Sequence, residues 1–188
     1  MKIEVRPTLD ALEKSLCKIE VTTIRTIHES LKKVSFEISP DATAPKIVSG
    51  WIKNFAHEYG WIESFRINPE IPKDLPITNY LMDGILDHYE AECGHHHRFL
   101  IQTCFDNRQA IGTNLLKFEM AQLKFCKTPK HKVLPIILCA EPDVLKMLKW
   151  DGSVASSSEY ELALLSGYNG ILAVSPILII LRKEIQAI

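Results

Sequence analysis

Two apolar stretches in the middle of the chain decide its fold. They read ITNYLMDGILDHY over residues 77–89 and RFLIQTCF over residues 98–105. Both contain the aliphatic, β-branched and aromatic residues typical of strands, and the polar segment EAECGHHH, residues 90–97, separates them. This pattern predicts a β-hairpin with a long turn.

The residues before the hairpin predict helices. Apolar residues recur every three or four positions over residues 9–34, so we expect one long amphipathic helix there. A second helical pattern runs over residues 47–59, and Gly60 is available as its C-terminal cap. Trp61 then begins a short extended stretch, and three prolines within residues 68–76 indicate a surface loop.

The residues after the hairpin alternate between helical and strand patterns. Helical spacing returns over residues 110–125 and includes Leu115, Phe118 and Leu123. Compact apolar runs at 133–139 and 176–182 predict buried strands. Further helical patterns lie between them, over residues 142–150 and 157–167. Strands that alternate with helices in this way predict a mixed α/β sheet.

Composition limits the classes of protein to consider. Of 188 residues, 46% are hydrophobic and 24% are charged, which excludes a disordered chain, and the formal charge of -1 excludes nucleic-acid binding driven by overall charge. We expect a single domain over 1–188, with an N-terminal helix and loop in 1–46 and the core in 47–188.

Cysteine usage and hydropathy indicate where the protein works. The five cysteines are an odd number with no C-x-x-C pair, which favours reduced thiols in the cytoplasm. The longest nearly apolar run, residues 171–181, is about half as long as a membrane helix requires, and no signal-peptide pattern begins the chain. We therefore expect a cytoplasmic location and no membrane partner.

Candidate catalytic residues lie on the predicted hairpin. Asp83 is on the first strand, and Gln102 and Cys104 alternate on the second, so the latter two point to one face. Phosphodiester hydrolysis with Mg²⁺ needs hard oxygen ligands and a polar group that orients the attacking water. An acidic residue near a strand end is also common in α/β domains without such a site.

Four groups of motifs occur in a specific order beyond about residue 47. They are Asn54-x-x-x-x-x-Gly60-Trp61; MDGIL at 82–86 with FLIQTCF at 99–105; NLLKFE at 114–119; and VLPIIL at 133–138 with SVAS at 153–156 and SPILII at 175–180. In this order and spacing the chain resembles the BglII/BstYI-type group of type II restriction endonucleases, which are related to BamHI within the PD-(D/E)xK nuclease superfamily.

The resemblance implies a restriction-endonuclease-like α/β fold, in which helices flank a mixed central sheet. It also implies a homodimer that binds a palindromic, GATC-containing site in double-stranded DNA and cleaves it with Mg²⁺. The family's active strand reads Glu-x-Gln-Phe, and Phe105 sets the register, so Gln102 and Cys104 stand at the Glu and Gln positions. Asp83 and Gln102 are then the expected metal ligands, with Cys104 in place of the water-orienting group.

The residues at these two positions depart from the family pattern. A neutral amide lacks a carboxylate's charge, and a thiol is a soft group that Mg²⁺ does not favour. Three explanations are open: Gln102 replaces an original Glu and inactivates the enzyme, another carboxylate completes the site, or the protein binds DNA without cutting it. Glu119 is the candidate carboxylate, and Asp87 is the alternative to Asp83. A protein-interaction domain with the same fold is a further hypothesis.

Contacts with DNA are expected from residues at the strand ends. Asn107 and Arg108 follow the second strand, and their side chains suit adenine and guanine edges. Ser153 and Ser156 match a segment that in the family lies against the central bases, whereas the neighbouring serines also suit a helix N-cap. A basic stretch over residues 117–132 either contacts phosphates or forms a solvated surface.

Two further interpretations concern metal binding and nucleophilic catalysis. The histidine run at residues 95–97, together with His88 and Cys93, indicates either a zinc site or a solvated turn. Cys104 is either a nucleophile or a small core residue in an apolar strand.

Overall fold

The computed structural model describes residues 1–37, 43–66, 81–91, 94–104, 108–148 and 175–184. Five helices and six strands lie in these ranges. In chain order they are β1 (Lys2–Arg6), α1 (Leu9–Ser15), α2 (Lys18–Lys32), α3 (Ala44–Tyr59), β2 (Ile62–Arg66), β3 (Leu81–Glu90), β4 (His95–Cys104), α4 (Arg108–Phe125), β5 (His131–Ala140), α5 (Pro142–Met147) and β6 (Ile177–Arg182). No helix in the described ranges is both long and apolar enough to cross a membrane.

All six strands form one mixed sheet in the order β1-β6-β5-β4-β3-β2. The three central strands β4, β5 and β6 are parallel, and the outer neighbours pair antiparallel. The helix α4 connects the parallel pair β4 and β5, because parallel neighbours need a crossover rather than a tight turn. The predicted mixed α/β sheet is confirmed. The loop predicted over residues 68–76 and the helix predicted over 157–167 lie outside the described ranges.

Each face of the sheet has its own apolar cluster. We call the face covered by α2 and α3 the α2 face, and the opposite one the α4 face. Consecutive residues of one strand point to opposite faces. Ile101 and Ile136 pack on the α2 face, whereas Leu100 and Ile137 pack on the α4 face. All four are buried, which explains why these strands read as continuous apolar runs.

The N-terminal region differs from the prediction in two ways. The expected helix over residues 9–34 is broken, because Leu16 has an extended backbone and Cys17 is the N-cap of α2. The Cys17 backbone N–H donates to the Glu20 carboxylate at 2.9 Å. In addition, the short strand β1 was not predicted. Its charged residues alternate with Ile3 and Val5, and it pairs with β6 at the edge of the sheet.

The hairpin turn is shorter than predicted. Pairing between β3 and β4 continues until Glu90 lies opposite His95, and Gly94 adopts a left-handed backbone with φ 68°. The Gly94 N–H donates to the Glu90 carbonyl at 2.8 Å and closes the turn. The histidine run therefore belongs to β4, and the solvated-turn interpretation is wrong for His97, which is 2% exposed.

Candidate active site

The strands β3 and β4 bring Asp83 and Gln102 together on the α4 face. Their regular pairing begins with Gly84 opposite Ile101, and Asp83 and Gln102 meet one step beyond it. Gln102 Nε2 donates to Asp83 Oδ2 at 2.9 Å. The two residues that the resemblance marks as metal ligands are thus in direct contact.

Asp83 binds its neighbours through one carboxylate oxygen. In addition to the Gln102 bond, Oδ2 accepts hydrogen bonds from the Thr103 backbone N–H and from Thr103 Oγ1, each at 2.7 Å. Among the described residues, no donor contacts Asp83 Oδ1. Three donors fix the orientation of the carboxylate, and Oδ1 remains as the oxygen available for a ligand.

Lys117 joins this group from α4. Its side chain is buried, and its Nζ donates to Gln102 Oε1 at 3.3 Å. Burial lowers the pKa of Lys117, while the nearby Asp83 and Cys104 oppose that shift. A continuous chain therefore runs from Lys117 through the Gln102 amide to Asp83, with the amide oxygen toward the cation and the amide nitrogen toward the anion.

The neutral side chain at position 102 suits this arrangement. The amide of Gln102 donates to one neighbour and accepts from the other. A glutamate there would still accept from Lys117, but it would place a second negative charge beside Asp83. Two adjacent carboxylates repel each other unless a cation lies between them. The Gln102 amide therefore satisfies both Asp83 and Lys117 with side chains of the protein alone.

Cys104 lies deeper on the same face. It is 2% exposed and packs in the apolar cluster with Leu115 and Phe118. Asn114 contacts its sulfur at 2.9 Å through Nδ2, and the same nitrogen is 3.5 Å from the Thr103 carbonyl oxygen. This burial favours a packing role for the thiol over that of an exposed nucleophile.

The structure does not bring Glu119 or Asp87 to this group. Glu119 follows Lys117 by two positions and is therefore rotated about 200° around α4, onto the side of the exposed Leu116 and Leu123. Asp87 is about 13 Å along β3 from Asp83, where it forms an ion pair with Arg98. Asp83 is consequently the carboxylate that contacts Gln102 in the described part of the chain.

The residues predicted to read DNA can be placed only in part. Asn107, Ser153 and Ser156 lie outside the described residues, as does Cys93. Arg108 begins α4, and only its backbone is described.

The burial of two α4 residues differs from what the sequence indicates. Lys117 lies in the basic stretch of the sequence, yet it is buried beside Gln102. Leu123 fits the apolar spacing of the helix, yet it is 74% exposed. The available signal was spacing: Asn114, Lys117 and Ala121 recur at three and four positions and share one face with Leu115 and Phe118. Polar residues on the otherwise apolar, buried face of a helix are candidates for a functional site.

Comparisons with known proteins identify the fold. Models of known protein families do not match this chain, and a search of curated proteins finds no match. Among solved structures, the chain is similar to restriction endonuclease BglII in complex with a DNA 16-mer, with a TM-score of 0.60 and 16% sequence identity. The similarity covers 100% of this chain and 79% of the BglII chain. The fold is therefore restriction-endonuclease-like, as the sequence motifs predicted.

Proposed function

We propose that this protein binds duplex DNA as a homodimer and hydrolyses phosphodiester bonds with Mg²⁺ at Asp83, Gln102 and Lys117. The observation that carries the proposal is the hydrogen-bonded chain from Lys117 through Gln102 to Asp83. Asp83 and Gln102 stand at the hairpin positions at which the family resemblance expects the catalytic residues, and Lys117 joins them from α4.

The three side chains supply different parts of the chemistry. Asp83 Oδ1 and Gln102 Oε1 are hard oxygen donors of the type that Mg²⁺ prefers, although only one of them carries a charge. A bound Mg²⁺ would polarise the scissile phosphate and stabilise its developing charge. Lys117 orients the attacking water in place of Cys104, and its lowered pKa raises the fraction of neutral amine that can accept a proton from that water.

Recognition of DNA rests on the resemblance and on the solved relative. BglII binds DNA in the structure to which this chain is similar. We extend this property to the present protein and assign base contacts to Asn107, Arg108, Ser153 and Ser156. A homodimer matches a palindromic, GATC-containing target, because a two-fold axis in the protein then coincides with that of the site.

A second candidate is a DNA-binding protein that does not cleave. The favouring observation is the Gln102 amide, which fills the position of a charged metal ligand with a donor to Asp83. Calorimetry separates the candidates, because sub-millimolar binding of Mg²⁺ that Asp83→Asn removes would support catalysis. A protein-interaction domain of the same fold predicts no duplex binding, or binding that salt does not weaken.

The decisive experiment compares the natural chain with Gln102→Glu on long unmethylated DNA in Mg²⁺. We expect discrete fragments from Gln102→Glu and at least about a hundred-fold slower cleavage by the natural chain, because the variant gains a charged ligand. Equal cleavage by both would contradict the assignment of position 102. Binding of duplex DNA with no cleavage by either form would favour the non-catalytic candidate.

A further inference from the structure

A second polar cluster lies on the α2 face, at the turn end of the hairpin. The side chain of His97 is 1% exposed, and its two ring nitrogens have different surroundings. Nδ1 is 3.2 Å from Glu20 Oε1, while Nε2 is buried and has no hydrogen-bond partner among the described residues. A buried imidazole nitrogen in this state is costly unless a ligand satisfies it.

Two other potential ligands surround this nitrogen. Glu90 Oε2 is 3.4 Å from His97 Nε2, and Glu90 lies directly opposite His95 in the hairpin. One ligand atom from each of Glu90, His95 and His97 falls within 4.8 Å of the others. A tetrahedral zinc ion holds its ligand atoms about 3.3 Å apart, so small side-chain rotations close the site.

The Glu20 contact prepares His97 for metal binding. A carboxylate that accepts the Nδ1 proton leaves the Nε2 lone pair free, which is the usual arrangement for a zinc-binding histidine. The orientation of the Glu20 side chain is itself fixed, because its other oxygen accepts a hydrogen bond from the backbone N–H of Cys17, the N-cap of α2. The α2 helix thus orients a ligand on β4.

The geometry points to a zinc site formed by Glu90, His95 and His97, with Glu20 orienting the His97 ring. Two imidazoles and one carboxylate suit Zn²⁺ better than Mg²⁺, and three protein ligands leave a fourth position for water. Strand alternation places this site on the opposite face of the sheet from Asp83 and Gln102, so it is independent of the proposed hydrolytic centre.

Zinc titration of the full, tag-free chain by calorimetry tests this site. We expect one Zn²⁺ per chain and at least about tenfold weaker binding by His95→Gln and by Glu90→Gln, both of which are more exposed than His97. The matched control is His96→Gln, whose side chain points to the α4 face, and we expect it to bind zinc as the natural chain does.

Three results would overturn the proposal. The first is a natural chain that fails to bind Zn²⁺ at micromolar concentration. The second is unchanged zinc affinity in both His95→Gln and Glu90→Gln. The third is loss of zinc binding in Cys17→Ser but not in His95→Gln, which would move the ion to the alternative group of Cys17, Glu20 and His97. Thermal unfolding with and without zinc provides a second readout, since the metal should raise the unfolding temperature only in variants that bind it.

Discussion

The two faces of the β3–β4 hairpin bury polar side chains in different ways. On the α4 face, the Gln102 amide links Lys117 to Asp83 and satisfies both groups. On the α2 face, Glu20 contacts one nitrogen of His97, and the other nitrogen has no hydrogen bond within the part of the chain that the structure describes. The polar groups on the α4 face therefore satisfy one another with help from α4, whereas on the α2 face a buried histidine nitrogen has, in the described ranges, only a carboxylate at 3.4 Å beside it.

The largest expected effect comes from Asp83 on the α4 face. In the Gln102→Glu background, Asp83→Asn should reduce DNA cleavage about a thousand-fold, which is about 4 kcal/mol in the transition state, because it removes the charged ligand proposed for Mg²⁺. The matched control is Asp87→Asn on the same strand face, whose ion pair with Arg98 is partly exposed. Loss of cleavage in Asp87→Asn but not in Asp83→Asn would contradict the assignment of Asp83 to the candidate site.

Lys117 tests whether the α4 face serves chemistry rather than folding. Lys117→Met should slow cleavage about a hundred-fold through loss of the proposed water-orienting group. Its free energy of unfolding should change by less than about 1 kcal/mol, because the apolar side chain avoids the cost of a buried cation while Gln102 Oε1 loses its hydrogen bond. Lys124→Met, about two turns along α4, is the control for cleavage rate. A destabilised Lys117→Met with normal cleavage would assign this lysine a structural role.

Gly84 tests how tightly the α2 face is packed. A Cβ at this position would lie 2.7 Å from Ile101 Cγ2 and 3.3 Å from the Trp61 ring. Gly84→Ala should therefore lower the free energy of unfolding by about 2 kcal/mol in urea titration. As a control, a Cβ at Gly50 in α3 would meet no described atom within 4 Å, and Gly50→Ala should stabilise the helix by about 0.5–1 kcal/mol. Equal stability of both variants would contradict close packing on this face.

The pH dependence of stability gives the smallest effect. Because burial lowers the pKa of Lys117, the unfolded chain binds more protons than the folded one between the lowered value and the ordinary value of 10.5. The free energy of unfolding should then rise with pH through this window, and the rise should be absent from Lys117→Met. Urea titrations of the natural chain and of Lys117→Met at several alkaline pH values measure this rise. The same slope of unfolding free energy against pH in both proteins would exclude a lowered pKa of Lys117.

The sequence correctly predicted the helices and strands whose hydrophobic pattern fits only one kind of element. The apolar runs of β5 and β6 are buried on both faces, so a strand was the expected structure. The strand β1 was missed, because its five residues contain three charges and pairing with β6 depends on a residue nearly the whole chain away. The break before α2 was missed because Cys17 is an uncommon N-cap residue.

The candidate site was predictable to a similar extent. Strand alternation and the family motif placed Asp83, Gln102 and Cys104 near one another, and the hydrogen bond between the first two agrees with that expectation. Periodicity alone does not show that Lys117 lies beside Gln102, because that contact depends on how α4 packs on the sheet. Likewise, the contact between Glu20 and His97 joins residues 77 positions apart and has no local signal.

The pairing of β1 with β6 has a consequence for self-association. β6 reads ILIILR and is buried along most of its length, whereas β1 covers it with a short strand that carries Lys2, Glu4 and Arg6. Charged, short edge strands discourage pairing between molecules. A chain without residues 1–6 would present the backbone of β6 to solvent as an apolar sheet edge, and aggregation through that edge would then compete with folding.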